Sequence, residues 1–325
     1  MSMNGVPAAG SPKKDLRIPA LRRFALAITI LNTLGHTVLG FETSLAQLCV
    51  ALGTAYGTEI LIELIASWSE RRRPTFLTGR VAAFDFMLPS HITGLALSML
   101  LYGGDRLLPF AFASVIAITS KTLFVAPIKG RVRHFLNPSN TGIAATVFFF
   151  PWVAVAPPYH FTENLFGGWD WALPALIVCT GSLLNTKLTK KIPLILSWVG
   201  AFIAQAIVRH QFSDTWLAAS LAPITGVGFL LFTFYMVSDP GTTPSTRRGQ
   251  IIFGISLASV YAVLMALHIQ YQLFFALFLV CATRGVILHA VARGWVVGRQ
   301  KIEAGPIPAS TATPAAEEQA RPLAV

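Results

Sequence analysis

Apolar stretches close to 20 residues long recur through almost the whole chain, and that spacing leaves few folds open. The stretch "LAQLCVALGTAYGTEILIELIASW", residues 45–68, carries only two charged side chains, Glu59 and Glu63. A helix needs about 20 apolar residues to cross the roughly 30 Å hydrocarbon layer of a bilayer. A membrane β-barrel would alternate polar and apolar residues instead, and these runs do not alternate. Charged residues make up 12% of the chain and mean hydropathy is +0.62, whereas soluble domains carry about 25% charged residues. The sequence therefore predicts an all-α polytopic membrane protein. About ten transmembrane helices are expected, near 22–40, 43–67, 86–103, 106–124, 137–157, 169–186, 192–210, 217–238, 249–267 and 271–293. The third is expected to be interrupted by Gly94.

The net charge of +11 raises the question of nucleic acid, and the placement of the basic residues answers it. With the amino terminus inside, 21 Lys and Arg residues fall in cytoplasmic segments and only Arg106 and Arg209 outside. That asymmetry orients a multi-pass protein in the cell (inner) membrane with both termini cytoplasmic. The partner it implies is a bilayer with anionic headgroups, and no nucleic acid. Cys49, Cys179 and Cys281 lie far apart within apolar runs, so neither a metal cluster nor a disulfide framework is indicated. Residues 1–20 read as a polar cytoplasmic tail and 296–325, rich in Ala, Pro, Thr and Glu, as a disordered one.

Between the eighth and ninth spans runs "FYMVSDPGTTPSTRRGQIIFG", residues 234–254. Asp239-Pro240-Gly241 suits a tight turn, because Pro fixes φ and Gly tolerates positive φ. Thr243 or Ser245 is placed to cap the ninth helix, and Arg247 and Arg248 to reach headgroups. The third span opens with Ile92-Thr93-Gly94 and the eighth near Ile224-Thr225-Gly226. Each is third in its group of five and the two run in opposite directions. A five-span unit repeated in tandem must invert, so the expected units are residues 21–165 and 166–295, two inverted five-helix repeats. Such folds bind ligands at the repeat interface. Thr93, Gly94, Thr225 and Gly226 are candidates there, although either hydroxyl can bond its own backbone instead.

The motifs "DFMLPSHITGLALSML" (85–100), "SKTLFVAPIKGRVRHFLNPSNTGIAATVFFFPW" (120–152), "TGSLLNTKL" (180–188) and the 234–254 segment resemble a known family. It comprises the D subunit of Rnf electron-transport complexes and the B subunit of sodium-translocating NADH:quinone reductase (RnfD/NqrB). The run Asp239-Pro240-Gly241-Thr242-Thr243-Pro244 is most similar to stand-alone relatives encoded in enediyne biosynthesis clusters. The resemblance implies ten helices in inverted repeats, flavin in the membrane, redox partner subunits, and electron transfer coupled to sodium or protons. The family's covalent flavin mononucleotide sits on a threonine in a Ser-x-Ala-Thr pattern after the fifth span. Here that region reads "PPYHFTENLFGGWDW" and contains only Thr162. Ser310-Thr311-Ala312-Thr313 matches the string but falls in the tail. The expectation is therefore non-covalent flavin, as flavin mononucleotide or riboflavin.

Polar groups within the spans complete the candidate set. Lys121, Asn137 and Asn140 with Asp239, Thr242 and Thr243 lie toward the cytoplasmic side and are expected to border a cofactor pocket; Asp85 and Ser139 sit beside them. Asn137-Pro138 begins the fifth span, whose N-terminal N–H groups then point inward. Arg284 lies within the tenth span and needs a partner, since a charge at that depth costs at least about 2.5 kcal/mol. Glu59 and Glu63 share one face of the second span, and Glu59 sits about 12 Å in from the same side as Arg284 at 1.5 Å per residue. An Arg284–Glu59 intramembrane ion pair is expected, with Glu63 nearer the interface. His91 and His289, near the inner side, are a candidate haem pair. Besides a flavin-holding redox subunit, the sequence is compatible with a transporter or channel for a small molecule or ion, and with a membrane scaffold for a biosynthetic assembly.

Overall fold

The computed structural model describes residues 17–128, 131–212 and 215–303. The expectations for residues 1–16 and for the stretch from 304, including Ser310–Thr313, lie outside the described residues. Helices stand at each of the ten expected stretches: α1 (Arg17–Leu34, continued by a wider turn, Gly35–Leu39), α2 (Leu45–Ser69), α3 (Arg80–Leu100), α4 (Leu108–Leu123), α5 (Pro138–Phe149), α6 (Ala172–Lys187), α7 (Ile192–Phe212), the pair α8 (Leu217–Leu221) and α9 (Val227–Leu231), α10 (Arg247–Ala266) and α11 (Gln272–Glu303). Five of them, α2, α3, α7, α10 and the Gln272–Gly294 part of α11, are long and apolar enough to cross a bilayer; the bent pair running from Leu217 to Met236 makes up to six. The chain is thus built as a multi-pass, mostly helical membrane protein.

Local chemistry sets the helix ends. Ser44 and Gln47 form a reciprocal capping box at α2, the Ser44 hydroxyl accepting from the Gln47 N–H and the Gln47 side chain from the Ser44 N–H. Asn137 caps α5 by accepting from the Asn140 N–H, with Pro138 in the first turn, where its missing N–H is no loss. Thr246, and neither Thr243 nor Ser245, caps α10 by accepting from the Gly249 N–H. The third helix differs from expectation in two ways: it begins at Arg80 and runs unbroken through Pro89 and Gly94. The break occurs in the other half, where Pro223 opens a short 3₁₀ turn and Gly226 takes an extended backbone before α9. The two arms of that span meet at a bend of 64°. Ile92-Thr93-Gly94 and Ile224-Thr225-Gly226 therefore occupy different local structures. The chain is also not purely helical. Two short antiparallel ladders join β1 (Leu101–Tyr102) to β4 (Ala154–Val155) and β2 (Val125–Ile128) to β3 (Arg131–His134).

α2 packs on α3 and α4, α4 on α5, and α1 on α3; α7 packs on α10, α10 on α11, and α6 on α9, while α5 and α11 join the two groups. The first group uses small residues: Ala51, Ala113 and Ala117 are fully buried, and a Cβ on Gly142 would lie 2.6 Å from the Ala113 carbonyl. Close backbone approach of this kind is how helices associate where lipid removes the hydrophobic drive. The second group is aromatic. Trp198 is fully buried against Phe202, Phe229, Phe232 and Tyr261 and donates its ring N–H to Thr233 Oγ1 at 3.0 Å. The ion pairs Arg22–Asp85, Arg72–Glu63 and Lys121–Glu59 gather at the end where α1 and α3 begin and α2 and α4 finish. Exposed Trp152, Trp169, Trp171 and Trp216 mark the opposite end, as interfacial tryptophans do.

Candidate functional site

The loop between the 232–236 turn and α10 folds onto itself through one aspartate. Asp239 Oδ1 accepts from the Gly241 N–H at 3.0 Å and Oδ2 from the Thr242 hydroxyl at 2.9 Å. The Asp239 carbonyl accepts from both the N–H and the hydroxyl of Thr243. Gly241 is not needed for positive φ, contrary to expectation. Space there is tight: a Cβ would sit 3.2 Å from His134 Nε2 and 3.3 Å from the Asp239 carboxylate, so those side chains would have to give by a few tenths of an ångström.

With the polar side chains turned inward, three successive carbonyls face two cations. Arg284 Nη1 donates to the Thr242 carbonyl at 2.8 Å. Lys191 Nζ donates to the Pro244 carbonyl at 2.7 Å and the Thr243 carbonyl at 3.3 Å. Thr242 is fully buried, and Thr243 and Lys191 nearly so. Lys191 stands in the α6–α7 corner. Its N–H bonds the Asn185 carbonyl at 3.0 Å, and the neighbouring Lys190 carbonyl accepts from Gln250 of α10 at 3.2 Å. Burial pulls the Lys191 ammonium down to about 8; Asp239 opposes that drop and Arg284 adds to it. A desolvated ammonium loses its proton more readily.

The first half reaches the same place. Asn137 Nδ2 donates to the Met236 carbonyl at 3.3 Å, and Asn140 Nδ2 to the Phe274 carbonyl at 2.9 Å. Asn140 Oδ1 is buried without a partner. Cys281, one turn before Arg284 on α11, is buried beneath this region. The site therefore has a buried lysine, a half-buried arginine, one carboxylate, a row of loop carbonyls and a free amide oxygen, where both groups of helices meet.

Of the expected site residues, Asn137, Asn140, Asp239, Thr242, Thr243 and Arg284 come together here, and the others do not. The expected Arg284–Glu59 ion pair is not formed. Glu59 pairs with Lys121 of α4, which also withdraws Lys121 from the site. Glu63 is held by Arg72 and by the N–H and hydroxyl of Thr75. Arg284 is satisfied by a carbonyl, which needs no counter-charge. Thr93 and Thr225 donate to their own backbone, at the Pro89 and Ala222 carbonyls. This is the usual competition for a hydroxyl in a helix. Gly94 serves packing: a Cβ there would lie 3.1 Å from the Leu52 Cα. Gly226 is the break before α9. Asp85 is taken by Arg22 through contacts of 2.7 and 2.9 Å. His91 bonds Thr29 and Tyr56 through its two nitrogens, so it is not free for haem; His289 meets the Val125 carbonyl through Nε2 at 2.8 Å.

Sequence reasoning counted Lys191 among cytoplasmic loop charges. The signal available was its place directly before the apolar run "IPLIL", where a lysine enters the bundle rather than solvent. His134 lay hidden in the basic "RVRH" stretch. A shallow open hollow of about 400 Å³ on α6 is lined by Cys179, Ser182, Leu183, Thr186 and Lys187, away from the Asp239 loop. Among the described residues, no group of three or more His, Cys, Asp or Glu gathers as a metal-ligand set. No family model matches this chain, and no curated protein matches it.

Proposed function

We propose that this chain is a membrane electron-transfer subunit of the RnfD/NqrB type, built from two inverted five-helix copies, that binds flavin non-covalently beside the Asp239 loop. The observation that carries the reading is the convergence of buried Lys191 and half-buried Arg284 on the 242–244 carbonyls with Asp239 as the nearby carboxylate. Two cations against one carboxylate leave an excess of positive charge, which suits a group that is anionic or becomes so on reduction. Asn140 Oδ1 supplies an acceptor without a present partner, as a ring N–H requires. The carbonyls now occupy the cations, so binding would exchange those bonds for bonds to the ligand. A bound flavin supplies one- and two-electron transfer; the residues hold it, exclude water and balance its charge.

The inverted arrangement draws support from the parallel packing of α2, α4 and α5 with that of α7, α10 and α11, and of α1 on α3 with that of α6 on α9. In this reading both termini and the exposed Arg71, Arg73, Arg247 and Arg248 face the cytoplasm, beside anionic headgroups and redox partner subunits. The test is the visible absorbance of detergent-purified protein, with and without added riboflavin or flavin mononucleotide, followed by acid precipitation. Flavin released by acid, and lost in Arg284→Gln, is the expected result. A colourless protein that takes up neither flavin sinks the reading.

A transporter is the second reading, and the broken span bent by 64° favours it. Half-helices with free backbone groups at membrane depth line substrate sites in that class. Substrate flux in proteoliposomes without an electron donor separates the two readings.

A further inference from the structure

Three helices of the first group carry a chain of hydrogen bonds unrelated to the Asp239 loop. His91 on α3 bonds Thr29 Oγ1 on α1 through Nε2 at 2.8 Å and the Tyr56 hydroxyl on α2 through Nδ1 at 2.6 Å. The proton positions follow from counting. Thr29 has one hydroxyl hydrogen and donates it to the Ala25 carbonyl at 2.7 Å. Its contact with His91 therefore requires the hydrogen on Nε2. Nδ1 is then bare and accepts from Tyr56. The chain is directional: Tyr56 O–H to Nδ1, Nε2–H to Thr29.

Polar groups extend the chain toward both membrane faces. On α2, Tyr56, Glu59 and Glu63 stand at i, i+3 and i+7, one face of a helix. Glu63 meets solvent-exposed Arg72, and Glu59 meets Lys121 from α4. Successive members lie one helical turn apart, about 5–6 Å, a gap that one water spans. Toward the other face, α1 continues with Asn32, whose Oδ1 lies 3.4 Å from Ser98 Oγ, and then His36. His36 Nε2 is buried without a partner, as is Nε2 of fully buried His160 in the loop that follows α5. Both rings touch Phe41. Burial, reinforced by His36, pulls the His160 imidazole down to about 4; near neutral pH it is uncharged, its Nδ1 accepting from the Glu42 N–H at 3.2 Å and its hydrogen on Nε2. Arg22–Asp85 flanks the chain from α1 and α3.

We propose that this row is a proton-transfer path through the first helix group, with His91 as its central relay. A proton reaching the Tyr56 oxygen from the Glu59 side releases that hydroxyl's own proton to His91 Nδ1. The imidazolium gives its Nε2 proton to the Thr29 oxygen; the Thr29 hydroxyl turns from the Ala25 carbonyl and releases its own proton to water, which carries it past Asn32 to His36. The hydrogen left on Nδ1 returns to Nε2 by proton exchange with water, which restores the first tautomer before the next transfer. No electron moves and net charge is conserved, so the path needs neither cofactor nor reductant and stands or falls apart from the flavin reading.

Polar contacts that merely join helices would use the same residues, so the test must read protons. Purified protein is reconstituted into liposomes containing a pH-sensitive dye, and a potassium gradient with valinomycin drives proton entry. The wild type should exceed empty liposomes by about tenfold, and His91→Gln should return to the empty level. His91→Gly should regain flux when imidazole is added, a response that a structural role does not produce. Should His91→Gln fail to fold, Tyr56→Phe removes only the hydroxyl and is expected to lower flux equally. Wild-type flux equal to empty liposomes, unchanged flux in a folded His91→Gln or Tyr56→Phe protein, or a folded His91→Gly protein that imidazole does not rescue would each overturn the proposal.

Discussion

Lys191 makes the stability of this protein depend on pH in a window where few other groups titrate. Its folded value, drawn from 10.5 to about 8 by burial, lies below that of the unfolded chain. Between those values the unfolded chain binds the extra proton, so folding becomes more favourable as pH rises. Below pH 8 both states hold the proton and the cost of burying the ammonium is constant. The full difference corresponds to about 3 kcal/mol, of which about 2 kcal/mol is gained between pH 7 and 9.5. For a chain of this size that gain raises the unfolding midpoint by about 4 °C. Tryptophan fluorescence during heating, in one detergent across that pH range, measures it directly. Lys191→Met keeps the aliphatic stem and loses the titration, so its midpoint should not share the rise. The difference between the two curves removes contributions from every other titrating group. A wild-type midpoint that stays flat or falls with pH, or a Lys191→Met curve parallel to it, refutes the placement of this ammonium against the loop carbonyls.

Further outcomes follow from other contacts. Gly254→Val should destabilise by about 3 kcal/mol, because a Cβ there would stand 2.2 Å from Ser197 Oγ and 2.7 Å from the Trp198 nitrogen. Gly57→Ala, with nothing within 4 Å, should gain about 0.5 kcal/mol; denaturant titration of both variants checks the pair. Glu59→Gln leaves the Lys121 ammonium without its carboxylate, side chains at 14% and 18% exposure, and should cost about 3 kcal/mol. Glu59→Gln combined with Lys121→Met should recover most of that loss in the same titration. His160, neutral in the fold down to about pH 4, binds its proton more readily when unfolded. Stability should therefore fall as pH drops from 6.5 toward 4, and His160→Phe, retaining the stack on Phe41, should flatten that fall in thermal scans.

The helix positions were legible because each helix needs an apolar run, and runs can be counted without knowing what they touch. The charge clusters at helix ends were legible for the same reason. Partners were not. Depth placed Glu59 level with Arg284, but depth says nothing of direction around the helix axis, and Lys121 on α4 faces Glu59 where Arg284 on α11 does not. Thr93 and Thr225 marked a sequence echo, yet a helical threonine always has its own i−4 or i−3 carbonyl within reach, and both took it. The β2–β3 ladder was hidden because four-residue strands carry too little periodicity to separate them from a basic loop. Asn137 and Asp239 were found because Asn-Pro and Asp-Pro announce a cap and a turn. Lys191 was missed because a lysine at a span boundary reads as solvent-exposed until the element covering it is known.

That covering element explains why the site couples the two helix groups. Carbonyl oxygens carry partial charge only, so Lys191 and Arg284 satisfy the loop without being neutralised by it. Holding two cations near one carboxylate is unfavourable unless hydrogen bonds offset their desolvation, and the 242–244 carbonyls provide two to Lys191 and one to Arg284 in the wound conformation held by Asp239. The wound loop in turn requires the α6–α7 corner to bring Lys191, α11 to bring Arg284, and α5 to bring Asn137 against the Met236 carbonyl. Displacing α11 or the α6–α7 corner leaves a cation or carbonyl unpaired, at about 1–3 kcal/mol for each such group; displacing α5 costs the Asn137 amide its partner, while the Met236 carbonyl keeps the Asp239 N–H. The loop's order therefore rests on its own group of helices, and Asn137 ties it to the first. An anion that draws Lys191 and Arg284 away from the carbonyls would therefore loosen the loop within its own group of helices, because the loop, the α6–α7 corner and α11 all belong to that group.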